Sequence, residues 1–233
     1  FRPDPLPPDS GLAFDDEFYT TLSEATFWLG KLSGFAQTVD FAPVLYTSLL
    51  RKEAMESAEI EGAEVDYNAL YSHETRTGVR ADAGSDGSAA ATKDIQEVLN
   101  YENALEWGIS RIEDGAEISV ELLHSLHERL LTGVPDTRRE TDTVGAFKTK
   151  PNHIGEFLPP VPGTVDGLID ALITYIQTGG QYHPLIDIAL VHYQFETIHP
   201  YGDGNGRLGR LLITLQLYSQ GYLDTPTLYL SEY

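Results

Sequence analysis

Between positions 199 and 210 the chain reads His-Pro-Tyr-Gly-Asp-Gly-Asn-Gly-Arg-Leu-Gly-Arg, and no other segment constrains the fold as tightly. Ile188, Val191, Phe195 and Ile198 precede it at helical spacing, and a second helical run from about Arg207 to Gln220 follows it. Pro200 disfavours helical backbone at His199, so the first helix ends there. Glycines at 202, 204 and 206 let the backbone take left-handed turns and approach a ligand closely. The helix that starts at once afterwards offers unpaired N–H groups and the positive end of its dipole, an anion site.

The side chains in this segment fit that site. Arg207 and Arg210 are three apart, and from one helix face both can reach a phosphate chain. Asp203 can hold a divalent metal that bridges phosphate oxygens. His199 has the chemistry of a general base near neutral pH. Gly204, Gly206 and Gly209 match the dinucleotide-binding fingerprint, but they follow a helix rather than a strand, and the chain shows no βαβ pattern. The lysine ending of a Walker motif is absent.

Elsewhere the pattern is helical. Helices are expected over about 15–35, from Pro43 to a stop at Gly62, over about 93–112, from the Ser119 cap to before Gly133, from Thr164 to about Gln177, and from Pro184. The second has apolar positions at Val44, Leu45, Leu49, Leu50 and Ile60. Residues 77–91, rich in Gly, Ser, Ala and Asp, read as a linker. Residues 143–155 break the helical period and read as a short β-hairpin. Acidic residues outnumber basic ones by 36 to 15, a net charge of −21, which disfavours nucleic-acid backbones and anionic membranes as partners. No apolar run is long enough to span a bilayer, and there is no cysteine for a disulfide or a thiolate nucleophile. A cytoplasmic setting is expected. The chain lacks an initiator Met and a signal-peptide pattern, so it reads as trimmed at its start.

The 199–210 segment resembles the signature of the Fic family, HPF-x-[D/E]-GN-GR-xx-R, with Tyr201 in place of Phe on a packing position. The flanks HYQFETIHP from His192 and TPTLYLSEY from Thr225 extend the resemblance. It implies an all-α protein with a β-hairpin flap that moves AMP from ATP to a Ser, Thr or Tyr hydroxyl of a target protein. By that resemblance His199 deprotonates the hydroxyl and Asp203 binds Mg²⁺. Gly202, Gly204, Asn205 and Gly206 cradle phosphates, Arg207 contacts them, and Arg210 holds the γ-phosphate. Self-modification on one of the 13 tyrosines is chemically open, and relatives often dimerise.

Ser57-Ala58-Glu59-Ile60-Glu61-Gly62 fits the same family's inhibitory pattern, [S/T]-xxx-E-[G/N]. The resemblance implies that Glu61 pairs with Arg210 and keeps the γ-phosphate from docking. It divides the chain into an N-terminal helical region, 1–85, with an inhibitory helix at about 43–61, and a catalytic core, 90–233, whose relatives continue past Tyr233. The target segment would pair with the flap, with Lys148, Asn152, His153 and Ile154 as contacts. Alternatives from the same residues are removal of AMP, another nucleotide donor, or a non-catalytic nucleotide-sensing module. His124 and His127 form an H-x-x-H without a third ligand and read as packing or surface residues. His192 reads as a hydrogen-bonded core histidine.

Overall fold

The computed structural model describes residues 1–38, 43–71, 89–134, 143–225, 228, 230 and 231. Its main elements are α1 (Asp16–Thr38), α2 (Pro43–Ile60), α3 (Ala89–Glu113), α4 (Val120–Leu131), α5 (Pro162–Thr178), α6 (Pro184–Ile198) and α7 (Asn205–Ser219). No strand occurs among the described residues, and the all-α expectation holds.

The helices form where the periodicity places them. On α3 the buried positions Ile95, Val98, Tyr101, Leu105 and Ile109 recur at three- and four-residue intervals. Ser119 caps α4 by accepting a hydrogen bond from the Leu122 amide. Two boundaries differ from expectation. Helix α5 starts at Pro162 instead of Thr164, because proline suits the first turn of a helix; Thr164 Oγ1 instead donates to the Val161 carbonyl. Helix α3 begins at Ala89, inside the expected linker, most of which lies outside the described residues.

Helix α7 runs through the middle and packs against α2, α3, α4 and α6, while α3 packs against α2 and α4. Gly108 of α3 is where three helices meet. A Cβ there would stand 3.1 Å from Leu215 of α7 and 3.2 Å from Leu126 of α4. One core cluster takes side chains from α2 through α7, including Leu50, Ala54 and Ala58 of α2. The buried face of α2 thus carries Leu50, as expected, together with small residues, while Ile60, expected on the apolar face, is 56% exposed. Helix α2 ends as the sequence indicates: Gly62 has φ +90°, and the Ala63 amide bonds back to the Ala58 carbonyl.

Glu53, on the same face of α2, is 2% exposed and accepts hydrogen bonds from the Tyr101 hydroxyl, the Leu230 and Ser231 amides and the Ser231 hydroxyl. Burial and this carboxylate hold the Tyr101 hydroxyl well above its usual pKa. Leu230 and Ser231 are thus fastened to α2. A second, smaller cluster, Ile188, Leu217 and Leu223 with Leu29 and Leu32, seats α1 beside α6 and α7.

The expected β-hairpin over 143–155 reduces to a single antiparallel bridge between Ile154 and Phe157, closed over Gly155 and Glu156. The rest of the segment pairs with no strand because it is tied down elsewhere. The Lys148 amide donates to the Pro200 carbonyl, and the Lys148 and Asn152 side chains bond to the end of α6 and the loop after it.

Candidate active site

The site forms where α6 ends and α7 begins. His199 is the C-cap of α6 and has φ +48°, the one non-glycine residue with positive φ among the described residues. Its amide still bonds to the Phe195 carbonyl, while Pro200 prevents the helix from continuing. Such a conformation persists only where surrounding contacts enforce it. Here Lys148 Nζ donates to the carbonyls of Ile198 and His199, at 3.2 and 2.9 Å, and to Asn152 Oδ1 at 2.7 Å. Asn152 Nδ2 donates to the His199 and Tyr201 carbonyls. An ammonium at the C-terminal end of a helix also meets the negative end of its dipole.

This changes the place of two expected docking residues. Lys148 is 2% exposed, and its ammonium is committed to the loop, so it positions His199 and is not on the surface for a target. Asn152 holds the same loop. His153 and Ile154 remain exposed, Ile154 by 40% and beside the bridge.

Tyr201 is fully buried and stacks on His127, with ring centroids 3.9 Å apart. Its hydroxyl lies 3.0 Å from His124 Nδ1, and burial raises its pKa far above the usual value. The H-x-x-H pair is thus a support for the loop. His127 Nδ1 accepts from the Gly145 amide, so Nε2 carries the proton and donates to the Asp203 carbonyl. Burial lowers the pKa of His124, while Glu121 and Asp166 raise it by a lesser amount.

Asn205 is 2% exposed, and its side chain is used within the loop. Oδ1 accepts from the Tyr201 amide, and Nδ2 donates to the Tyr201 carbonyl, both at 2.8 Å. Gly204, the N-cap of α7, has φ +77°, which a side chain would strain. Gly202 lies half-buried in the same loop. Asp203 Oδ1 accepts from the Gly204 amide and stands 3.7 Å from Arg207 Nη2.

The two arginines part company. Arg207 turns inward and is 2% exposed, with Nη1 3.3 Å from Glu97 Oε2. Its Nε and Nη1 make no hydrogen bond. Arg210 turns toward α2. Its Nε donates to Ser57 Oγ at 2.8 Å, and Nη2 donates to the Ser57 carbonyl and to Glu61 Oε1, both at 2.9 Å. Glu61 itself lies over the first turn of α7. A Cβ on Gly206 would stand only 2.1 Å from Glu61 Oε1. A carboxylate oxygen therefore rests on the helix N-terminus, where an anionic ligand would gain most from the free amides.

Asp203 fits a Mg²⁺ ion held mostly by phosphate oxygens. It is a hard oxygen ligand, 20% exposed at its side chain, and Mg²⁺ in phosphate sites commonly takes one or two protein carboxylates. Among the described residues no group of three acidic or histidine side chains forms a closed metal cage.

Two family models match: residues 19–110 fit the Fic/DOC family N-terminal region and residues 117–217 fit the Fic/DOC family domain. The chain belongs to the Fic/DOC family. It is 26% identical over 174 residues to the protein adenylyltransferases Fic of Drosophila willistoni and Drosophila melanogaster, an alignment covering 74% of the chain. It spans about a third of the length of those curated relatives, 34% in each case. Among solved structures, a Fic family protein from Desulfovibrio desulfuricans matches with a TM-score of 0.67 and 25% identity, over 90% of this chain and 59% of that one. A Fic domain containing signaling protein from Bacteroides thetaiotaomicron has the same fold, with a TM-score of 0.63 and 22% identity, over 85% and 72% of the two chains. Among the described residues no helix is long and apolar enough to cross a membrane.

Sequence reasoning did not find Glu53, Glu97 or Glu196 as partners within the site and its supports. Each is an acidic residue in a chain with 36 of them; burial sets Glu53 and Glu97 apart, and only its place beside His199 marks the half-buried Glu196.

Proposed function

We propose that this Fic domain transfers AMP from ATP to a protein hydroxyl and is held off by its own Glu61. The observation that carries this reading is the Glu61 carboxylate, lodged over Gly206 at the start of α7 and paired with Arg210 at 2.9 Å. It occupies with its own negative charge the place that suits a phosphate, and it engages the arginine that would bind one. Release of Glu61 frees both at once.

The chemistry then needs little beyond positioning. The incoming hydroxyl oxygen bonds to the α-phosphorus as the bond from that phosphorus to the bridging oxygen breaks. The hydroxyl proton passes to His199, and pyrophosphate departs with the bonding electron pair. Mg²⁺, when bound at Asp203, supplies charge neutralisation on the phosphate oxygens. Arg207, braced between Glu97 and Asp203, fixes the metal-binding carboxylate. Arg210, once freed, binds the terminal phosphate. Lys148, Asn152 and Asn205 hold the loop so that His199 keeps its position. The exposed edge at His153 and Ile154 is where an extended target segment can lie.

The test is which phosphate stays on protein. Glu61→Gly is incubated with α-labelled or γ-labelled ATP and Mg²⁺, with candidate proteins and with the enzyme itself as acceptors. Label retained from the α-position alone supports AMP transfer. Retention from the γ-position means phosphoryl transfer and overturns the reading. No retention from either, with ATP still bound, overturns it as well.

A further inference from the structure

We propose that Glu196 is a positioning residue for His199: its carboxylate pairs with Nδ1 and leaves Nε2 as the free base. This rests on the reading of His199 as the base in the proposed reaction.

His192 and Glu196 lie four apart on the last two turns of α6 and share one face. His199, the C-cap that follows, turns its ring back beside Glu196. Opposite His192 and Glu196, α7 presents Gly209. A Cβ there would stand 2.1 Å from Glu196 Oε1 and 3.2 Å from His192 Cε1. The carboxylate therefore lies against bare backbone, in space that only a glycine leaves open. Three polar atoms here, His192 Nδ1, Glu196 Oε1 and His199 Nδ1, are buried without a hydrogen-bond partner. Buried polar atoms are rarely left so, and three together call for a common cause.

Glu196 Oε2 stands 3.6 Å from His199 Nδ1. That is beyond a hydrogen bond, for which about 2.8 Å is usual in a charge-assisted pair. The pairing requires the unbranched glutamate to rotate and close this gap. The other groups near His199 engage its backbone: Lys148 Nζ and Asn152 Nδ2 both donate to its carbonyl. His192, against Gly209 beside Glu196, is a further titratable neighbour and can serve Oε1. Once Nδ1–H donates to Glu196, the lone pair is at Nε2. The carboxylate then stabilises the imidazolium that forms as the hydroxyl proton arrives, in the manner of other carboxylate–histidine pairs.

Two measurements test this. In the Glu61→Gly background, Glu196→Gln is expected to lower kcat at least ~10-fold, since the tautomer is no longer fixed. KM for ATP should stay within about twofold, as Glu196 touches no phosphate in this scheme. The acid limb of the rate profile should move to lower pH, because loss of a nearby negative charge makes the imidazolium easier to deprotonate. Glu196→Asp, which keeps the charge, should recover part of the rate. Independently of turnover, nitrogen NMR of His199 should find the Nδ1–H tautomer in the parent chain and a mixture with a lower pKa in Glu196→Gln. A Gln variant with unchanged kcat and acid limb, and unchanged His199 tautomer and titration, overturns the proposal. If no variant transfers AMP but the NMR change appears, the pairing stands and the transferase reading falls.

Discussion

Replacing Lys148 by methionine removes the ammonium that closes the end of α6 while keeping most of the apolar stem. Three hydrogen bonds are lost, to Asn152 Oδ1 and to the Ile198 and His199 carbonyls. Each bond to a charged group is worth roughly 1.5–3 kcal/mol. Methionine needs no desolvation of a charge, which offsets part of the sum. Asn152 Nδ2 also remains on the His199 carbonyl. The net cost is about 3 kcal/mol, which in a chain of this size lowers the melting temperature by about 6–12 °C. The left-handed His199 loses its main restraint, so AMP transfer in the Glu61→Gly background should fall at least ~10-fold. Differential scanning calorimetry and the labelled-ATP assay read the two effects. A melting temperature within about 2 °C of the parent, with full transfer, would refute the claim that Lys148 holds the catalytic loop.

Other perturbations separate the supports. Glu53→Ala leaves the Tyr101 hydroxyl and three donors of residues 230 and 231 without their acceptor, and should cost about 3 kcal/mol or more, with faster hydrogen exchange at the Leu230 and Ser231 amides. Gly206→Ala forces the Glu61 carboxylate aside, yet alanine suits a helix better than glycine, so denaturant unfolding should find stability within about 1 kcal/mol of the parent. The lowered pKa of His124 means that the unfolded chain binds its proton first as pH falls. The resulting loss of stability sets in below about pH 6.5, the ordinary histidine value, and thermal unfolding at a series of pH values should show this slope flattened in His124→Gln.

Much of the architecture was legible because the signals were local. Periodicity and caps fixed α2, α4, α6 and α7 to within a few residues, and Gly62 and Pro200 marked two stops that carry the chemistry. The hairpin expected over 143–155 is absent because turn residues there indicate only a break in helix; what the segment packs against is a tertiary matter, settled by Lys148 and Asn152. In the site, the residue types were readable from the 199–210 segment, but their directions were not. Arg207 and Arg210 differ by three positions, and one is drawn inward by Glu97 while the other is drawn out by Ser57 and Glu61. Asn205 likewise spends its amide on Tyr201. Glu196 and Gly209 acquire meaning only when α6 and α7 face one another.

The central claim is that Glu61 restrains a site otherwise ready to act through His199, and initial rates of label transfer from α-labelled ATP test it directly. The Glu61–Arg210 pair is 27% and 14% exposed at its side chains and is worth about 1.5 kcal/mol, so Glu61→Gly should transfer AMP at least ~10-fold faster than the parent. Glu61→Gly/His199→Ala should return to background. Equal rates in the parent and Glu61→Gly, or undiminished transfer without His199, would contradict the account.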